Sequence, residues 1–297
     1  MSAQLTSNGV DLEMQGISLD LQIPPRAVRG HVVVDGWKLA TISIEPEGEY
    51  KGTALLVPGY TSSADTFNML LQPLSERGYK VVSFSQRGQC LSEGPEDSSG
   101  YELPQLGKDI HEVIKNLNLG TDVHLLGHSF GGVVSIEAVL QDHSPFASLT
   151  MWNSGPRFMG GTLPAEQQAL KEQGPRGFFV LSQLAAGRDP EADVKGELNV
   201  IEQYYYDRLM STKPAQLEAG MDILANQVDR TLELSRTGLP ILVSHGANDD
   251  AWPIPMQREM AEQLGADYVV LAKAGHSAHA DRTYASAQLL ANFWDEH

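Results

Sequence analysis

Cysteine is almost missing from this chain: Cys90 stands alone among 297 residues. That excludes an intrachain disulfide and a zinc cluster built on cysteine ligands. Positive charge is scarce too, with 21 Lys and Arg against 38 Asp and Glu and a formal net charge of −17 at pH 7. A surface of that sign repels nucleic-acid phosphates and anionic lipid headgroups, so neither nucleic acid nor a membrane is an expected partner. The acid reads first as a solubility device, with attraction of a cationic substrate as the sharper alternative. No apolar run approaches the roughly 18 residues that a membrane helix needs. The first basic residue is Arg26, preceded by Asp11, Glu13 and Asp20, so the start lacks the positive and apolar regions of a signal peptide. A cytoplasmic protein is the expectation. No internal repeat or low-complexity tract is evident.

What is present suits a folded protein with a real core. Apolar residues make up 41% of the chain, and at this length folding buries about 75% of the unfolded surface. Residues 29–35 and 37–44 read as two strands around a turn at Asp35-Gly36. Short β-rich runs at 54–57, 80–84, 123–126, 148–152, 241–244 and 268–271 then alternate with helical periodicity at 66–77, 105–117, 131–140 and 255–264, and with a last helix ending near Trp294. Such alternation implies right-handed βαβ crossovers and an α/β fold, a mostly parallel central sheet flanked by helices. The alternation stops between about residues 156 and 235. Four helical stretches, around 164–173, 176–186, 196–211 and 214–232, are separated there by Gly and Pro with no convincing strand. The expected organisation is a core of residues 1–155 and 236–297 with an inserted helical cap at 156–235.

In a parallel sheet, ligand sites lie beyond the carboxyl ends of the strands. The run 123–126 leads into Gly127-His128-Ser129-Phe130-Gly131-Gly132 and then a helix. G-x-S-x-G alone recurs readily by chance. Between a strand and a helix it has a physical reason: a tight turn holds the serine in a strained conformation, and small flanking residues let strand and helix approach. Ser129 is therefore the expected nucleophile. A serine hydroxyl needs a positioned base, itself oriented by a carboxylate. Two later strand ends supply both, in His245-Gly246-Ala247-Asn248-Asp249-Asp250-Ala251-Trp252-Pro253 and in Ala274-Gly275-His276-Ser277-Ala278-His279.

With these motifs the chain resembles the α/β-hydrolase fold superfamily, in the chain order nucleophile, acid, histidine. The resemblance runs from about residue 30 to the end, the helical stretch matching the superfamily's cap insertion. The superfamily's acid turn, Gly-x-x-Asp-x-x-x-Pro, implies Asp249 as the acid, with Asp250 as the alternative if the turn is shifted by one residue. Its terminal Gly-His implies His276 as the base, with His279 as the alternative. His276 and His279 as a metal pair lack a third ligand, and neither metal nor other cofactor is expected. His128 reads as a turn histidine and His124 as structural. The oxyanion donors implied are the backbone N–H groups of Phe130 and Tyr60, the latter in Val57-Pro58-Gly59-Tyr60, where Pro58 replaces the family's His. The stretch Ser85-Gln86-Arg87-Gly88-Gln89-Cys90-Leu91-Ser92 departs from the family's Asp-x-Arg-Gly-x-Gly-x-Ser at Ser85 and Cys90. It reads as a structural loop, as Asp109 reads as a structural acid, and Cys90 is superfluous as a nucleophile.

The resemblance implies a serine hydrolase of carboxylic esters or lactones that works through an acyl-enzyme. Thioesterases, amidases, acyltransferases and C–C bond hydrolases share the constellation. A non-catalytic small-molecule receptor on the same scaffold is the alternative of another class. The helical stretch carries Phe158, Met159, Phe178, Phe179 and Tyr205 among its aromatic and Met residues. Phe178 and Tyr205, with Trp152 and Trp252 at strand ends, are the candidate pocket walls. They imply a largely apolar pocket for a small ester-type substrate. The oligomeric state is left open.

Overall fold

The computed structural model describes residues 23–157 and 163–297. Strands β1 (Val28–Val34) and β2 (Trp37–Ile44) form an antiparallel hairpin. Its two-residue turn holds Asp35 and Gly36 at φ 47° and 85°, the left-handed pair that matches the twist of the flanking strands. Six more strands follow: β3 (Gly52–Val57), β4 (Tyr79–Phe84), β5 (Val123–His128), β6 (Phe146–Trp152), β7 (Ile241–Gly246) and β8 (Asp267–Leu271). The sheet order is β1-β2-β4-β3-β5-β6-β7-β8. β2 meets β4 antiparallel, and every later pairing is parallel. The expected α/β fold is observed, each strand lying where the β-rich runs placed it and most ends moving by only one to three residues.

Strands β3, β5 and β7 are buried along their whole length, as expected where helices cover both faces of a parallel sheet. The two-residue period divides their side chains between two cores. Leu55, Val57, Val123 and Leu125 face one core with Ile110, Val113 and Val134. These come from α2 (Leu103–Asn116) and α3 (Phe130–Gln141). Ala54, Leu56 and Leu126 face the other core with Leu70, Leu74 and Trp294, from α1 (Asn68–Ser75) and a C-terminal helix over residues 283–295. The expected helix at 66–77 is split, a 3-10 turn at Ala64–Phe67 preceding α1.

Between β6 and β7 lie α4 (Leu163–Ala185), α5 (Ala192–Lys195), α6 (Val200–Met210), α7 (Pro214–Ala225) and α8 (Thr231–Ser235). The first two expected helices run together as α4, kinked where Gly174 takes φ 64° just before Pro175. The expected 196–211 helix starts later, because Asn199 and Glu202 form a reciprocal capping box at Val200. Leu170, Phe179, Leu209 and Leu217 make a small core among these helices. Phe158 and Met159 lie outside the described residues. The helices are fastened to the sheet side by polar contacts: Tyr60 Oη donates to Leu217 O at 2.8 Å, Lys213 N to Gly88 O at 2.8 Å and Gln227 Nε2 to Gly155 O at 3.1 Å. Arg230 also pairs with Glu137 of α3 at 2.5 Å. The remaining helices are α9 (Ile254–Leu264), α10 (Ala278–Asp281) and α11 (Thr283–Asp295).

The end of β7 is the tightest join in the C-terminal half. A Cβ on Gly246 would lie 2.2 Å from Gly275 O and 2.4 Å from Ala274 O, both rigid backbone atoms. This contact brings the turn after β7 against the turn after β8. Gly246→Ala is expected to lower the unfolding free energy by roughly 2–4 kcal/mol, as forced overpacking does, measured by urea denaturation.

Candidate active site

Ser129 sits between the buried end of β5 and the first turn of α3, with φ 54° and ψ −122°. A non-glycine residue in that region is strained and persists only where its surroundings over-determine it. The surroundings are glycines in close contact. A Cβ on Gly127 would meet Gly131 O and Gly132 Cα at 2.5 Å, and one on Gly131 would meet Val57 O at 2.2 Å. Ser129 N donates to Trp152 O at 3.0 Å, and Ser154 Oγ donates to Ser129 O at 2.8 Å. The backbone is thus held on both sides while the side chain is left to the cavity.

The turns after β7 and β8 deliver the acid and the histidine together. His276 Nδ1 donates to Asp249 Oδ1 at 2.9 Å, and the carboxylate is buried. Burial alone would push the Asp249 carboxyl up. The hydrogen bond from His276 and its charge, helped by donors from Asn153 and Gln257, instead hold it down to about 2. An ionised carboxylate only accepts, so Nδ1 carries a proton, and whenever the ring is neutral the lone pair lies on Nε2. Asp249 Oδ2 accepts from Asn153 Nδ2 at 3.1 Å and Gln257 Nε2 at 3.0 Å, and Oδ1 also accepts from Ala251 N at 3.1 Å. Asp250 is exposed, and no hydrogen bond from it to His276 occurs among the described residues. Ser129 Oγ accepts from Trp252 Nε1 at 3.4 Å; no hydrogen bond joins it to His276 among the described residues. Long or absent serine–histidine contacts are ordinary before substrate arrives.

His279, the alternative histidine, is buried against Phe67 with ring centroids 5.1 Å apart. Its ring lies edge-on to His128 at 4.8 Å. His128 Nε2 donates to His276 O at 2.9 Å, which fixes the backbone of His276. Desolvation holds His128 far below the usual histidine range and His279 at about 3, each lowered further by a neighbouring histidine. Among the described residues no group of three or more His, Cys, Asp or Glu is arranged to hold a metal.

The loop after β3 passes directly over the elbow: a Cβ on Gly59 would lie 3.1 Å from Ser129 Cβ. Gln86 Nε2 donates to Pro58 O at 2.8 Å and Gln89 Nε2 to Gly59 O at 2.9 Å. Since the peptide is planar and trans, fixing Gly59 O also fixes the Tyr60 N–H, which points the opposite way. The Tyr60 side chain turns toward the helices, its ring edge-on to Phe178 at 5.9 Å and to Phe130 at 6.3 Å. The loop carrying the two glutamines is anchored by the buried pair Arg87–Asp109, with Nε to Oδ2 at 2.6 Å. Cys90, in the same loop, is half-buried, and burial pushes its thiol up, away from thiolate.

Ser129, His276 and Tyr60 line one cavity of about 830 Å³ whose far wall includes Arg188, Tyr205 and Arg208. Of the residues expected to wall it, only Tyr205 does. Trp152 is wholly buried in the sheet core. Trp252 is buried too, its indole N–H reaching Ser129 Oγ and its ring filling the space over Gly155. Phe178 packs beside the small core of the helices and lines a neighbouring cavity. The lining is also mixed rather than largely apolar, with Asp65, Glu202, Asp250 and Asp281 present besides the two arginines. Apart from Tyr205, aromatic residues of the helices such as Phe178 and Phe179 pack those helices together, which leaves charged side chains facing the cavity. Sequence reasoning missed Asn153, Gln257, Gln86 and Gln89. The glutamines fall on unspecified positions of the family's loop pattern, and a lone Asn after β6 carries no signal either.

Residues 48–283 match the family described as serine aminopeptidase, S33. A putative carbamate hydrolase RutD of Variovorax paradoxus (strain S110) is 28% identical over 138 residues, 45% of this chain and 51% of that protein, so the chain spans about half of that relative. A proline iminopeptidase of Lacticaseibacillus rhamnosus (strain Lc 705) is 24% identical over 257 residues, 77% of this chain and 84% of its own length. The solved enol-lactonase of Burkholderia xenovorans LB400 superposes with a TM-score of 0.74 at 19% identity, covering 89% of this chain and 99% of that one. At that identity the likeness is one of fold.

The buried histidines make stability pH-dependent. Below about pH 6.5 an unfolded chain takes up protons that the folded protein refuses at His128, His279 and His124, the last held at about 4 by burial first and then by the charge of His297. Their contribution is complete above that pH and is lost as pH falls, by up to about 1.4 kcal/mol per pH unit for each group. Urea unfolding is expected to show stability falling from pH 7 to pH 5, with a shallower slope in His279→Gln.

Proposed function

We infer the reaction from kinship and geometry together: the chain belongs to the serine aminopeptidase S33 family of α/β-hydrolases, and a strained serine shares one cavity with a carboxylate-bonded histidine. That juxtaposition carries the proposal that the protein is a serine hydrolase of carboxylic esters or lactones. Ser129 Oγ leaves Trp252, gives its proton to His276 Nε2 and attacks the substrate carbonyl. Asp249 keeps the imidazole in the right tautomer and stabilises the imidazolium that forms. The Phe130 and Tyr60 amides receive the oxyanion. The intermediate collapses, His276 returns its proton to the leaving alcohol, and a water activated by His276 then frees the acid. The described residues include no helix long and apolar enough to cross a membrane; with its acidic composition and single cysteine, the enzyme acts in the cytoplasm. The helices α4 to α8 between β6 and β7 serve as the cap over a core formed by the sheet and its flanking helices.

The family's description names an aminopeptidase, and an amide would engage the same three side chains, so ester, lactone and aminoacyl-amide substrates belong in one panel. Treatment with a fluorophosphonate followed by intact-mass analysis is expected to give one adduct on the wild type and none on Ser129→Ala. The same variant is expected to lose at least about a thousand-fold in kcat/KM, and Asp249→Asn roughly ten-thousand-fold, because the amide would hold the wrong histidine tautomer. Unlabelled, inactive wild type of native circular dichroism would overturn the reading in favour of a non-catalytic receptor.

A further inference from the structure

The cavity above Ser129 holds charge of both signs, and the carboxylates there have partners. Asp65 accepts from Arg29 at 2.5 Å, and Asp281 Oδ2 accepts from Gly275 N at 2.8 Å. Glu202 caps α6 through Asn199 N at 3.0 Å and lies 3.5 Å from Arg188. Asp250 is exposed to solvent. Of the two guanidinium groups on the cavity wall, Arg188 is thereby matched, and Arg208 is not: no carboxylate of the described residues lies within ion-pair distance of it.

The surroundings of Arg208 hold its head in place without neutralising it. The guanidinium carbon lies 4.9 Å from the Tyr205 ring centroid and 5.3 Å from that of Tyr204, close enough for cation–π attraction. Its Nη1 donates to Thr66 Oγ1 at 3.3 Å. Thr66 lines the Ser129 cavity and neither of the two neighbouring cavities that Arg208 also borders, so the head is on the reactive side. Nε is buried with no hydrogen bond of normal geometry, although the Tyr204 hydroxyl lies beside the group. Arg208 as a whole is only partly buried, but a buried guanidinium donor left without an acceptor is costly until one comes to it. The fork of a guanidinium fits a carboxylate with two parallel charge-assisted hydrogen bonds.

Building on the hydrolase reading, we propose that Arg208 anchors a carboxylate of the substrate, so that the esters or lactones cleaved carry an anionic group away from the scissile carbonyl. The net charge of −17 works against any anion at long range, which makes a local cation on the cavity wall the determinant of whether such a substrate is held. The product of a half-ester is then a dicarboxylate. The chemical step at Ser129 is unchanged.

The test has two arms. In the first, methyl hydrogen glutarate and methyl hydrogen adipate are compared with their dimethyl esters on wild type, Arg208→Met and Arg208→Lys. The wild type is expected to favour the half-esters by about ten-fold or more in kcat/KM, mostly through KM. Arg208→Met is expected to lose that preference, and Arg208→Lys to keep part of it, because the charge remains and the fork does not. In the second arm, glutarate and adipate are titrated calorimetrically into Ser129→Ala, with binding expected there and lost in the Ser129→Ala, Arg208→Met double variant. A wild type that cleaves diesters and half-esters equally, or a Ser129→Ala protein that binds neither diacid, overturns the anchor. Cleavage of neither ester type together with diacid binding that depends on Arg208 overturns the hydrolase reading and leaves the anchor standing.

Discussion

Everything at the reactive end of this molecule depends on how closely β5, α3 and the loop after β3 approach one another. The approach has no room for a side chain at Gly127 or Gly131, and Gly132 is closed in the same way by Ser154 after β6. It forces Ser129 into a left-handed backbone conformation that would otherwise cost about 1–3 kcal/mol. The same closeness sets Gly59 against the serine, so the amide proposed to receive the oxyanion and the proposed nucleophile are positioned by one contact. A mirrored arrangement at Gly246 joins the acid turn to the histidine turn. Two steric joins at the sheet's carboxyl edge therefore fix the relative placement of groups from four separate strand ends.

Around these joins runs a layer of neutral amides. Asn153 and Gln257 hold the free oxygen of Asp249, and Gln86 and Gln89 hold the carbonyls of the loop over the elbow. Neutral donors suit this task because they orient a carboxylate without competing with His276 for its charge. Asn153 itself takes φ 48°, a conformation asparagine tolerates better than most residues. It also donates to Gly275 O at 3.0 Å, tying the acid to the turn that carries the histidine.

The fold was legible because its signals are local and repeated: β-branched runs, helical periods and the Asp35-Gly36 turn each point to one answer. The elbow was legible for the same reason, as was the order of Ser129, Asp249 and His276 along the chain. The pocket was not. Whether Phe178 faces a cavity or a core depends on how the helices between β6 and β7 pack, whether Trp152 does depends on which face of β6 it occupies, and an aromatic residue looks the same in sequence either way. The kink at Gly174 and the break before Val200 redirect those helices, so faces inferred from unbroken stretches point elsewhere. Polar second partners such as Gln257 are equally silent, since a glutamine on a helix carries no periodic signature.

The pair Arg87–Asp109 has a meaning for the history of the chain. Both side chains are buried, and removing either alone strands the other charge away from water, a change that costs about 3–5 kcal/mol. Neither residue touches the cavity, yet the loop that Arg87 roots carries the two glutamines over the elbow. Asp35 at 3.6 Å from Arg87 and Gln105 at 3.0 Å from Asp109 offset only part of such a loss, so the two positions are coupled in what they tolerate. A contact that does not line the cavity thus holds the shape of the loop above Ser129.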